Sequence, residues 1–355
     1  MSSLLEIENL RVDFGTRSQP LTAVKDVSLS VAAGEIVGLV GESGSGKSLT
    51  CRAVMRLIDQ PGRIAAGTIA FEGRDVLAMS EKQLRDFRAH EAGMIYQDPF
   101  SSLNPVHRIG RQLAETLSVN LGLGRAQARE RAIELLDGVG IPDPARRALS
   151  YPHELSGGMR QRVMIALATA SEPRLLLADE PTTALDVTTQ AQILDLLERL
   201  RADRGMAVLL VSHDFGVIAR TCDRVAVMYG GHIVETADIA TIYTAAEHPY
   251  TRALLQSVPE LSSAGHPRRR GGIPGRPPEL GEELAGCVFK PRCAFAEPDC
   301  AEVEMTLRAV GPAHESACPK RPLAAAASAR VGAGAGAGTD AGAGGSGKAG
   351  PESVP

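Results

Sequence analysis

The run Gly41–Ser48, with the sequence GESGSGKS, constrains the fold of this chain more than any other feature of its sequence. It follows the apolar segment Glu35–Gly41 and precedes residues with helical spacing, which is the strand–loop–helix setting of the G-x-x-x-x-G-K-S/T motif. Glycines in such a loop let backbone N–H groups curl around an anion, and the helix N-terminus adds positive potential. The sequence therefore predicts a phosphate site in which Lys47 reaches the β- and γ-phosphates of a nucleotide and the Ser48 hydroxyl binds Mg²⁺.

Short apolar runs recur along the chain and predict the strands of a sheet. Several are apolar at every position, which suits strands that helices cover on both faces of a parallel sheet. The recurring runs, taken together, are Glu35–Gly41, Thr68–Phe71, Met94–Gln97, Leu175–Asp179, Ala207–Ser212 and Val225–Tyr229. The segment Leu4–Phe14 instead alternates apolar and polar residues and predicts an antiparallel edge region. The predicted fold class is therefore α/β.

Changes in composition along the chain predict its domain organisation. Pro99–Arg174 shows helical spacing and little strand character, which predicts a mainly helical insert. The Pro/Gly-rich stretch Gly271–Leu280 is typical of an extended connector. The Ala/Gly repeats of Leu323–Pro355 cannot bury enough apolar surface to offset chain entropy. We expect a nucleotide-binding domain over 4–260 that includes a helical subdomain over about 99–174, a cysteine-containing extension over 261–322 and a disordered tail over 323–355.

Composition and charge exclude several classes of protein. The chain carries 38 Lys and Arg residues against 42 Asp and Glu residues, and this faintly acidic balance gives no global reason to bind nucleic acid. Its one basic run, His266–Arg270, is interpreted as a solvated linker or a partner-docking surface before a nucleic-acid contact. No stretch approaches the roughly 20 apolar residues that span a bilayer. Because Glu6 and Glu8 stand where a secretory signal carries basic residues, we expect a cytoplasmic chain.

Two carboxylates, Asp179 and Glu180, follow the apolar residues Leu175–Ala178 and lie at the carboxyl edge of the predicted sheet, beside the phosphate loop. Asp179 is expected to bind Mg²⁺ through its coordination shell, and Glu180 to polarise the attacking water as a general base. Gln97 and His213 each end another predicted strand at the same edge, where both can face the γ-phosphate. Taken singly, these residues also fit a solvated strand end or a structural histidine. Their combination with the phosphate loop favours a hydrolytic site.

The segment Leu155–Gln161, LSGGMRQ, lies just before a predicted helix and resembles the signature of ATP-binding-cassette (ABC) ATPases. With the phosphate loop, the carboxylate pair, Ala184–Asp186 and the two residues at the sheet edge, it completes the motifs of that family in their usual order. The resemblance covers roughly 4–260. It implies a P-loop NTPase core of the RecA-like type, with a parallel sheet, an antiparallel β subdomain and a helical subdomain.

The signature also predicts a second nucleotide contact. Ser156 and the amides of Gly157 and Gly158 would form an anion site at a helix N-terminus that cannot reach the phosphate loop of its own chain. Two cassettes are therefore expected to sandwich two ATP molecules head to tail, the second cassette being a paralogous ATPase or another copy of this chain. Phe14 matches the family's adenine-stacking aromatic, with a core phenylalanine as the alternative.

The resemblance assigns the site residues as follows. Nucleotide contacts are implied at Phe14, Gly41, Ser43, Gly44, Ser45, Gly46, Lys47, Ser48, Leu49, Gln97, Ser156, Gly157, Gly158, Asp179 and Asp186. Ligands of Mg²⁺ are implied at Ser48, Gln97 and Asp179, and catalytic roles at Glu180, His213 and Gln97.

Three longer phrases, Tyr96–Pro105, Glu180–Leu194 and His248–Leu254, are similar to those of oligopeptide and dipeptide permease ATPases, which nickel and glutathione importers share. The likeness implies an ATP-hydrolysing importer subunit, peripheral at the cytoplasmic face of the membrane. Its implied partners are a second ATPase, two transmembrane permease subunits and an extracytoplasmic solute-binding protein. The alternative is a soluble ABC ATPase that acts on nucleic acid or ribosomes, although the sequence shows neither a tandem cassette nor a coiled-coil insertion.

Four of the six cysteines follow the Pro-rich connector, at Cys287, Cys293, Cys300 and Cys318. Their spacing matches neither zinc ribbons nor bacterial ferredoxins, so it leaves iron–sulfur, zinc and unligated thiols open. Peptide-permease ATPases resemble this chain in the pattern Cys-x-Phe-x-x-Arg-Cys, and some members carry a 4Fe–4S cluster there. The resemblance therefore implies such a cluster on these four cysteines, whereas Cys51 and Cys222 lie in periodic segments and are expected in the core.

Overall fold

Strands and helices alternate along most of the chain in the computed structural model, which describes residues 3–98, 102–257, 272–282 and 284–320. The strands are β1 (Ser3–Gly15), β2 (Pro20–Ala32), β3 (Ile36–Val40), β4 (Arg63–Phe71), β5 (Arg74–Asp75), β6 (Ala92–Ile95), β7 (Leu175–Asp179), β8 (Ala207–Ser212), β9 (Arg224–Tyr229), β10 (His232–Asp238), β11 (Arg308–Gly311) and β12 (His314–Ser316). The helices are α1 (Lys47–Val54), α2 (Glu81–His90), α3 (Ile109–Leu121), α4 (Arg125–Gly138), α5 (Pro144–Arg147), α6 (Gly157–Ala168), α7 (Val187–Arg204), α8 (Phe215–Thr221), α9 (Ile239–Ala245) and α10 (Pro249–Ser257).

The main sheet has eight strands in the order β11-β12-β10-β9-β3-β8-β7-β6. Strands β9, β3, β8, β7 and β6 are parallel, and β10, β12 and β11 continue the sheet in antiparallel fashion. Every residue of β3, β7 and β8 is buried. Ile36 and Val40 of β3 belong to one apolar cluster, and Val37 and Leu39 to a second, because successive side chains of a strand point to opposite faces. The central strands are therefore covered on both sides, as the continuous apolar runs predict.

A second sheet of four strands, in the order β2-β1-β4-β5, is antiparallel throughout. Strand β1 lies in its middle and pairs with both β2 and β4. Leu5, Ile7 and Val12 of β1 are buried in the cluster that also contains Leu39 of the main sheet. The antiparallel region expected around Leu4–Phe14 is therefore present, and it packs on one face of the parallel strands.

Helices α3, α4 and α6 occupy the segment predicted to be helical. Leu113, Leu136 and Val163 from these helices are buried in the cluster on the other face of the main sheet. Residues 99–101, at the start of the predicted subdomain, lie outside the described residues. One expectation needs a small correction. Strand β6 ends at Ile95, so Gln97 lies in the segment after the strand and does not end it.

The described part of the predicted C-terminal extension continues the main sheet. Strand β12 pairs with β10 through Glu235 and Ser316, and the Ala317 N–H donates to the Val234 carbonyl at 2.8 Å. The proposed domain boundaries stay a prediction. The basic run His266–Arg270 and the tail 323–355 lie outside the described residues. Within the described ranges, no helix combines the length and the apolar character needed to cross a membrane.

Candidate functional site

The loop Gly41–Ser48 leaves the carboxyl end of β3 and leads into α1, as the motif predicts. Gly46 precedes α1 with φ +107°, a conformation that favours glycine, and a Cβ there would lie 3.0 Å from the Ala23 carbonyl oxygen. The Lys47 side chain is buried and donates from Nζ to the carbonyl oxygens of Gly41 at 2.8 Å and Glu42 at 2.9 Å. The loop therefore folds around the lysine ammonium group.

Three carboxylates around Lys47 partly oppose the effect of its burial. Burial lowers the pKa of Lys47, and the carboxylates of Glu180, Asp179 and Glu42 oppose that change. The Ser48 Oγ donates to Asp179 Oδ1 at 2.7 Å, so two of the three residues predicted to bind Mg²⁺ are in direct contact. Burial also raises the pKa of Asp179, an effect that the hydrogen bond from Ser48 opposes. One hydroxyl and one carboxylate fit Mg²⁺, which usually takes one or two carboxylates together with substrate phosphates and waters.

Glu180 follows β7 and lies in the left-handed region with φ +47°, a strained conformation of the kind found at functional sites. Three neighbours contact one of its oxygens, Oε2. Gln97 Nε2 donates at 3.1 Å, Thr183 Oγ1 donates at 2.8 Å, and His213 Nδ1 lies at 3.2 Å. The side chain of Glu180 is 12% exposed and that of His213 is 57% exposed, so the cluster opens to solvent on the histidine side. None of these three contacts uses Oε1, whose lone pairs can accept a proton from water.

Thr183 is a site residue that the sequence analysis missed. It lies within Glu180–Leu194, a stretch that indicates the family by its sequence but does not by itself predict which hydroxyl contacts Glu180. Its signal was the hydroxyl three residues after the expected base, on the turn between β7 and α7. Gln97 contacts Glu180 and not Asp179, so its role as a ligand of Mg²⁺ stays a prediction.

The segment Ser156–Gly158 begins α6 and packs against the start of α7. Ser156 Oγ accepts the Met159 N–H at 3.3 Å, and a Cβ on Gly158 would lie 2.6 Å from Thr189 Cγ2. Asp186 in turn caps α7, because its carboxylate accepts the Thr189 N–H at 2.9 Å and the Thr189 hydroxyl at 2.7 Å. These hydrogen bonds lower the pKa of Asp186. The two helix starts are therefore built as one surface, and their contacts with nucleotide remain predicted.

The phosphate loop, the carboxylate pair and the segment Ser156–Gly158 all lie in the region where a family model described as ABC transporter matches, over residues 24–183. A second model, described as the C-terminal region of oligopeptide/dipeptide transporters, matches residues 234–300. The dipeptide transport ATP-binding protein DppD of Escherichia coli (strain K12) is 47% identical over 316 residues, which cover 89% of this chain and 96% of DppD. The chain belongs to the ABC transporter family.

Other relatives support the same family membership. A Brucella abortus (strain 2308) protein, provisionally named a peptide import ATP-binding protein, is 49% identical over 325 residues, or 89% of this chain and 96% of that protein. Among solved structures, the dimeric bacterial ABC transporter cassette MJ0796 has a TM-score of 0.60 at 28% identity, over 66% of this chain and 98% of the cassette. That cassette is also known in a post-hydrolysis state with ADP and phosphate. The predictions of an ABC ATPase and of its α/β fold are confirmed.

The remaining predicted nucleotide contacts of this ABC protein lie around the phosphate loop. Ser43 and Gly44 are exposed at its tip, whereas Ser45 is buried and its carbonyl accepts the Gly231 N–H at 3.1 Å. Phe14 and Leu49 are partly buried and pack against the cluster beneath the antiparallel sheet. Phe14 therefore contributes to the core and keeps part of its surface exposed, which leaves adenine stacking as a prediction.

The four late cysteines lie within the described residues, but they do not form the predicted ligand set. The Cys287 N–H donates to the Cys300 carbonyl at 2.8 Å, and the Phe295 N–H donates to Cys293 Sγ at 3.4 Å. Within the described ranges, no three His, Cys, Asp or Glu side chains form a group that could hold a metal ion. The cluster on these four cysteines therefore stays a prediction. Cys51 and Cys222 are buried, as expected.

Proposed function

We propose that this chain hydrolyses ATP to drive an importer of dipeptides or oligopeptides, or of a related small solute such as nickel or glutathione. One observation carries the proposal. At the edge of the main sheet, the buried Lys47, the Ser48–Asp179 pair and the oriented Glu180 carboxylate lie together. The likeness to DppD, whose name states dipeptide transport, supports the cargo class.

The residues of the site divide the work of phosphoryl transfer. Lys47 gives up its hydrogen bonds to the loop carbonyls and donates to the β- and γ-phosphates. Ser48 and Asp179 would hold Mg²⁺, which neutralises charge on the phosphate oxygens when bound. Glu180 accepts a proton from the water that attacks the γ-phosphorus in line with the departing ADP oxygen, so the hydroxide oxygen forms the new bond as the old one breaks.

Gln97, Thr183 and His213 orient the base. Their contacts all reach Oε2, so rotation of the Glu180 carboxylate is restricted and none of the three occupies Oε1, which would accept the proton. A base held in one orientation needs no rearrangement at the moment of proton transfer. We propose that Gln97 and His213 also sense the γ-phosphate, because both lie at the sheet edge beside the phosphate loop.

The proposed assembly contains a second cassette, two transmembrane permease subunits and an extracytoplasmic solute-binding protein. Ser156–Gly158 would complete the nucleotide site of the second cassette, which is a paralogous ATPase or another copy of this chain. The dimeric form of the related MJ0796 cassette supports this arrangement. The chain would lie peripherally at the cytoplasmic face of the membrane.

A 4Fe–4S cluster on Cys287, Cys293, Cys300 and Cys318 is a separate proposal. Two features support it. The C-terminal family model covers the first three cysteines, and the Phe295 N–H donates to Cys293 Sγ at 3.4 Å. Protein purified without oxygen should then contain bound iron and absorb broadly in the visible range. Protein without either would end this proposal and leave the ATPase function untouched.

The deciding experiment is a detergent pull-down of tagged Glu180→Gln protein from its native cells, with co-purifying chains identified by mass spectrometry. Glutamine cannot accept the proton, so the variant should bind ATP, hold the closed cassette dimer and lose turnover. Two membrane subunits and a second cassette should be recovered. Glu172→Gln is the matched control, because Glu172 also has a positive φ of 53° but pairs with Arg131 on the surface. Recovery of ribosomes or nucleic acid would instead support the soluble alternative, and unchanged hydrolysis by Glu180→Gln in the assembled complex would refute the role of the base.

A further inference from the structure

Glu42, the second residue of the phosphate loop, is bound by a residue from the cysteine-bearing segment. Its carboxylate accepts two hydrogen bonds from the Arg292 guanidinium, with Nη1–Oε2 at 2.5 Å and Nη2–Oε1 at 3.0 Å. The two residues are 250 positions apart in the chain. Paired contacts between a guanidinium and a carboxylate fix geometry as well as charge, since both groups are planar. The pair therefore ties the nucleotide loop to the segment between Cys287 and Cys293.

The pair is buried on the arginine side. The Arg292 side chain is 4% exposed and that of Glu42 is 26% exposed. Arg292 also donates to the Pro274 carbonyl at 2.9 Å, the Ile273 carbonyl at 3.2 Å and the Tyr229 hydroxyl at 3.2 Å. These partners are neutral, so Glu42 supplies the charge that compensates the buried cation, and its hydrogen bonds raise the pKa of Arg292.

The backbone of Glu42 connects this pair to the phosphate-binding lysine. The Glu42 carbonyl accepts a hydrogen bond from Lys47 Nζ at 2.9 Å, and the Glu42 N–H donates to the Tyr250 hydroxyl at 2.9 Å. Glu42 is therefore fixed at its side chain, its N–H and its carbonyl. A shift of Glu42 moves a group that positions the Lys47 ammonium.

Three packed aromatic rings lie beside Arg292. Tyr229 lies 4.5 Å from Tyr250 and 5.2 Å from Phe289 between ring centroids, and Tyr250 lies 5.3 Å from Phe289. Phe289 belongs to the same segment as Arg292, whereas Tyr229 ends β9 and Tyr250 lies on α10. The three rings come from different parts of the chain, and Tyr229 among them contacts Arg292 directly, with the guanidinium carbon 5.7 Å from its ring centroid.

We propose that Arg292 is a positioning residue for nucleotide binding, which holds the phosphate loop through Glu42 in the conformation that accepts the triphosphate. The inference rests on the proposed ATPase function. It assigns the cysteine-bearing segment a role that requires no metal. Arg292 also neutralises the Glu42 carboxylate, which would otherwise repel the phosphates beside Lys47.

The test compares nucleotide binding by three variants of the full chain. Arg292→Met removes the charge and keeps an unbranched side chain, Arg292→Lys keeps the charge without the planar fork, and Arg276→Met is the matched control. Arg276 lies in the same part of the chain but is 65% exposed and pairs with Glu279 on the surface. Calorimetry measures the Kd for ADP and for a non-hydrolysable ATP analogue with Mg²⁺. We expect Arg292→Met to raise the Kd about tenfold, equivalent to roughly 1.4 kcal/mol. Arg292→Lys should raise it less, and Arg276→Met should bind like the wild type.

A double variant separates positioning from a general loss of stability. If the two residues act only through each other, Glu42→Gln combined with Arg292→Met should bind no worse than Arg292→Met alone. Additive losses would overturn the proposal, as would nucleotide binding by Arg292→Met that equals the wild type. Should Arg292→Met fail to fold, the same comparisons are made with Arg292→Lys. Wild-type nucleotide affinity in both single variants, Arg292→Lys and Glu42→Gln, would then overturn the proposal. A wild-type chain that binds no nucleotide would instead refute the proposed ATPase function.

Discussion

Replacing Thr183 with valine tests whether the donors around Glu180 orient the catalytic base. Thr183 Oγ1 donates to Glu180 Oε2 at 2.8 Å, beside Gln97 Nε2 at 3.1 Å and His213 Nδ1 at 3.2 Å. Valine keeps the branched shape of threonine and has a methyl group in place of the hydroxyl. The variant therefore removes one donor from the carboxylate and leaves the other two.

The magnitude follows from the kind of hydrogen bond that is lost. A hydrogen bond to a charged group contributes about 1.5–3 kcal/mol. Because Gln97 and His213 still contact Oε2, we expect a loss near the lower end of that range in the orientation of Glu180. A loss of about 1.4 kcal/mol from transition-state stabilisation lowers a rate tenfold. The expected result is a kcat about tenfold below the wild type, with a KM for ATP close to the wild-type value because Lys47 and Ser48 keep their partners.

The assay is steady-state ATP hydrolysis by the assembled transporter, with Thr183→Ser as the matched control. Serine retains the hydroxyl, so this variant should turn over close to the wild-type rate. Wild-type kcat in Thr183→Val would refute the reasoning, since the hydroxyl would then contribute nothing to the base. An equal loss in the serine and valine variants would also refute it, because serine keeps the hydroxyl and the loss could not then be assigned to the missing hydrogen bond.

Two further predictions concern the phosphate loop and a buried histidine. Gly46→Ala places a Cβ 2.6 Å from Met228 Cε at a φ of +107°, which strains the loop by about 1–3 kcal/mol. Nucleotide binding, measured by calorimetry, should therefore weaken about tenfold. Gly73→Ala is the control, because Gly73 lies in open space at φ +74° and its substitution should leave nucleotide binding unchanged. His248 is buried, and burial lowers its pKa to about 3 from an ordinary 6.5. Below pH 6.5 His248 binds a proton in the unfolded chain but stays neutral in the folded chain, so the free energy of unfolding falls as the pH drops towards 3. Between pH 7.5 and 5.0, urea unfolding of the wild type should lose about 2 kcal/mol more than that of His248→Asn, and equal losses would contradict the assignment.

The parallel core was predictable because its signal is local. Strands Leu175–Asp179 and Ala207–Ser212 are apolar at every position but the last, and both were predicted with the bounds they have in the structure. Strand β10 was missed because Glu235 interrupts its apolar pattern. That carboxylate is fully buried, where it contacts His314 Nε2 at 2.8 Å and accepts the N–H groups of Glu247 and His248. A pattern read along the strand shows the charge but not the partner 79 residues away.

In the candidate site too, part of the arrangement was predictable from the sequence and part was not. The proximity of Lys47, Ser48 and Asp179 was predictable, because each lies at or just after the end of a strand at the same edge of the sheet. The orientation of Glu180 was not, since it depends on Thr183, whose hydroxyl matters only once the turn after β7 brings it to Oε2. The cysteines show the opposite case. Their residue type suggested a metal, and the geometry of the described residues does not supply the ligand set.

The loop that binds phosphate takes its chemistry from its own sequence and its conformation from distant parts of the chain. Gly231, just after β9, donates to the Ser45 carbonyl at 3.1 Å, Tyr250 on α10 accepts the Glu42 N–H at 2.9 Å, and Arg292 holds the Glu42 carboxylate. None of these distant groups is part of the motif, and each acts on a loop residue other than Lys47 or Ser48. A substitution among them should therefore change nucleotide affinity while the groups that touch phosphate and Mg²⁺ remain in place. It follows that variants of the C-terminal segment are expected to alter the Kd or KM for nucleotide, and variants around Glu180 to alter kcat.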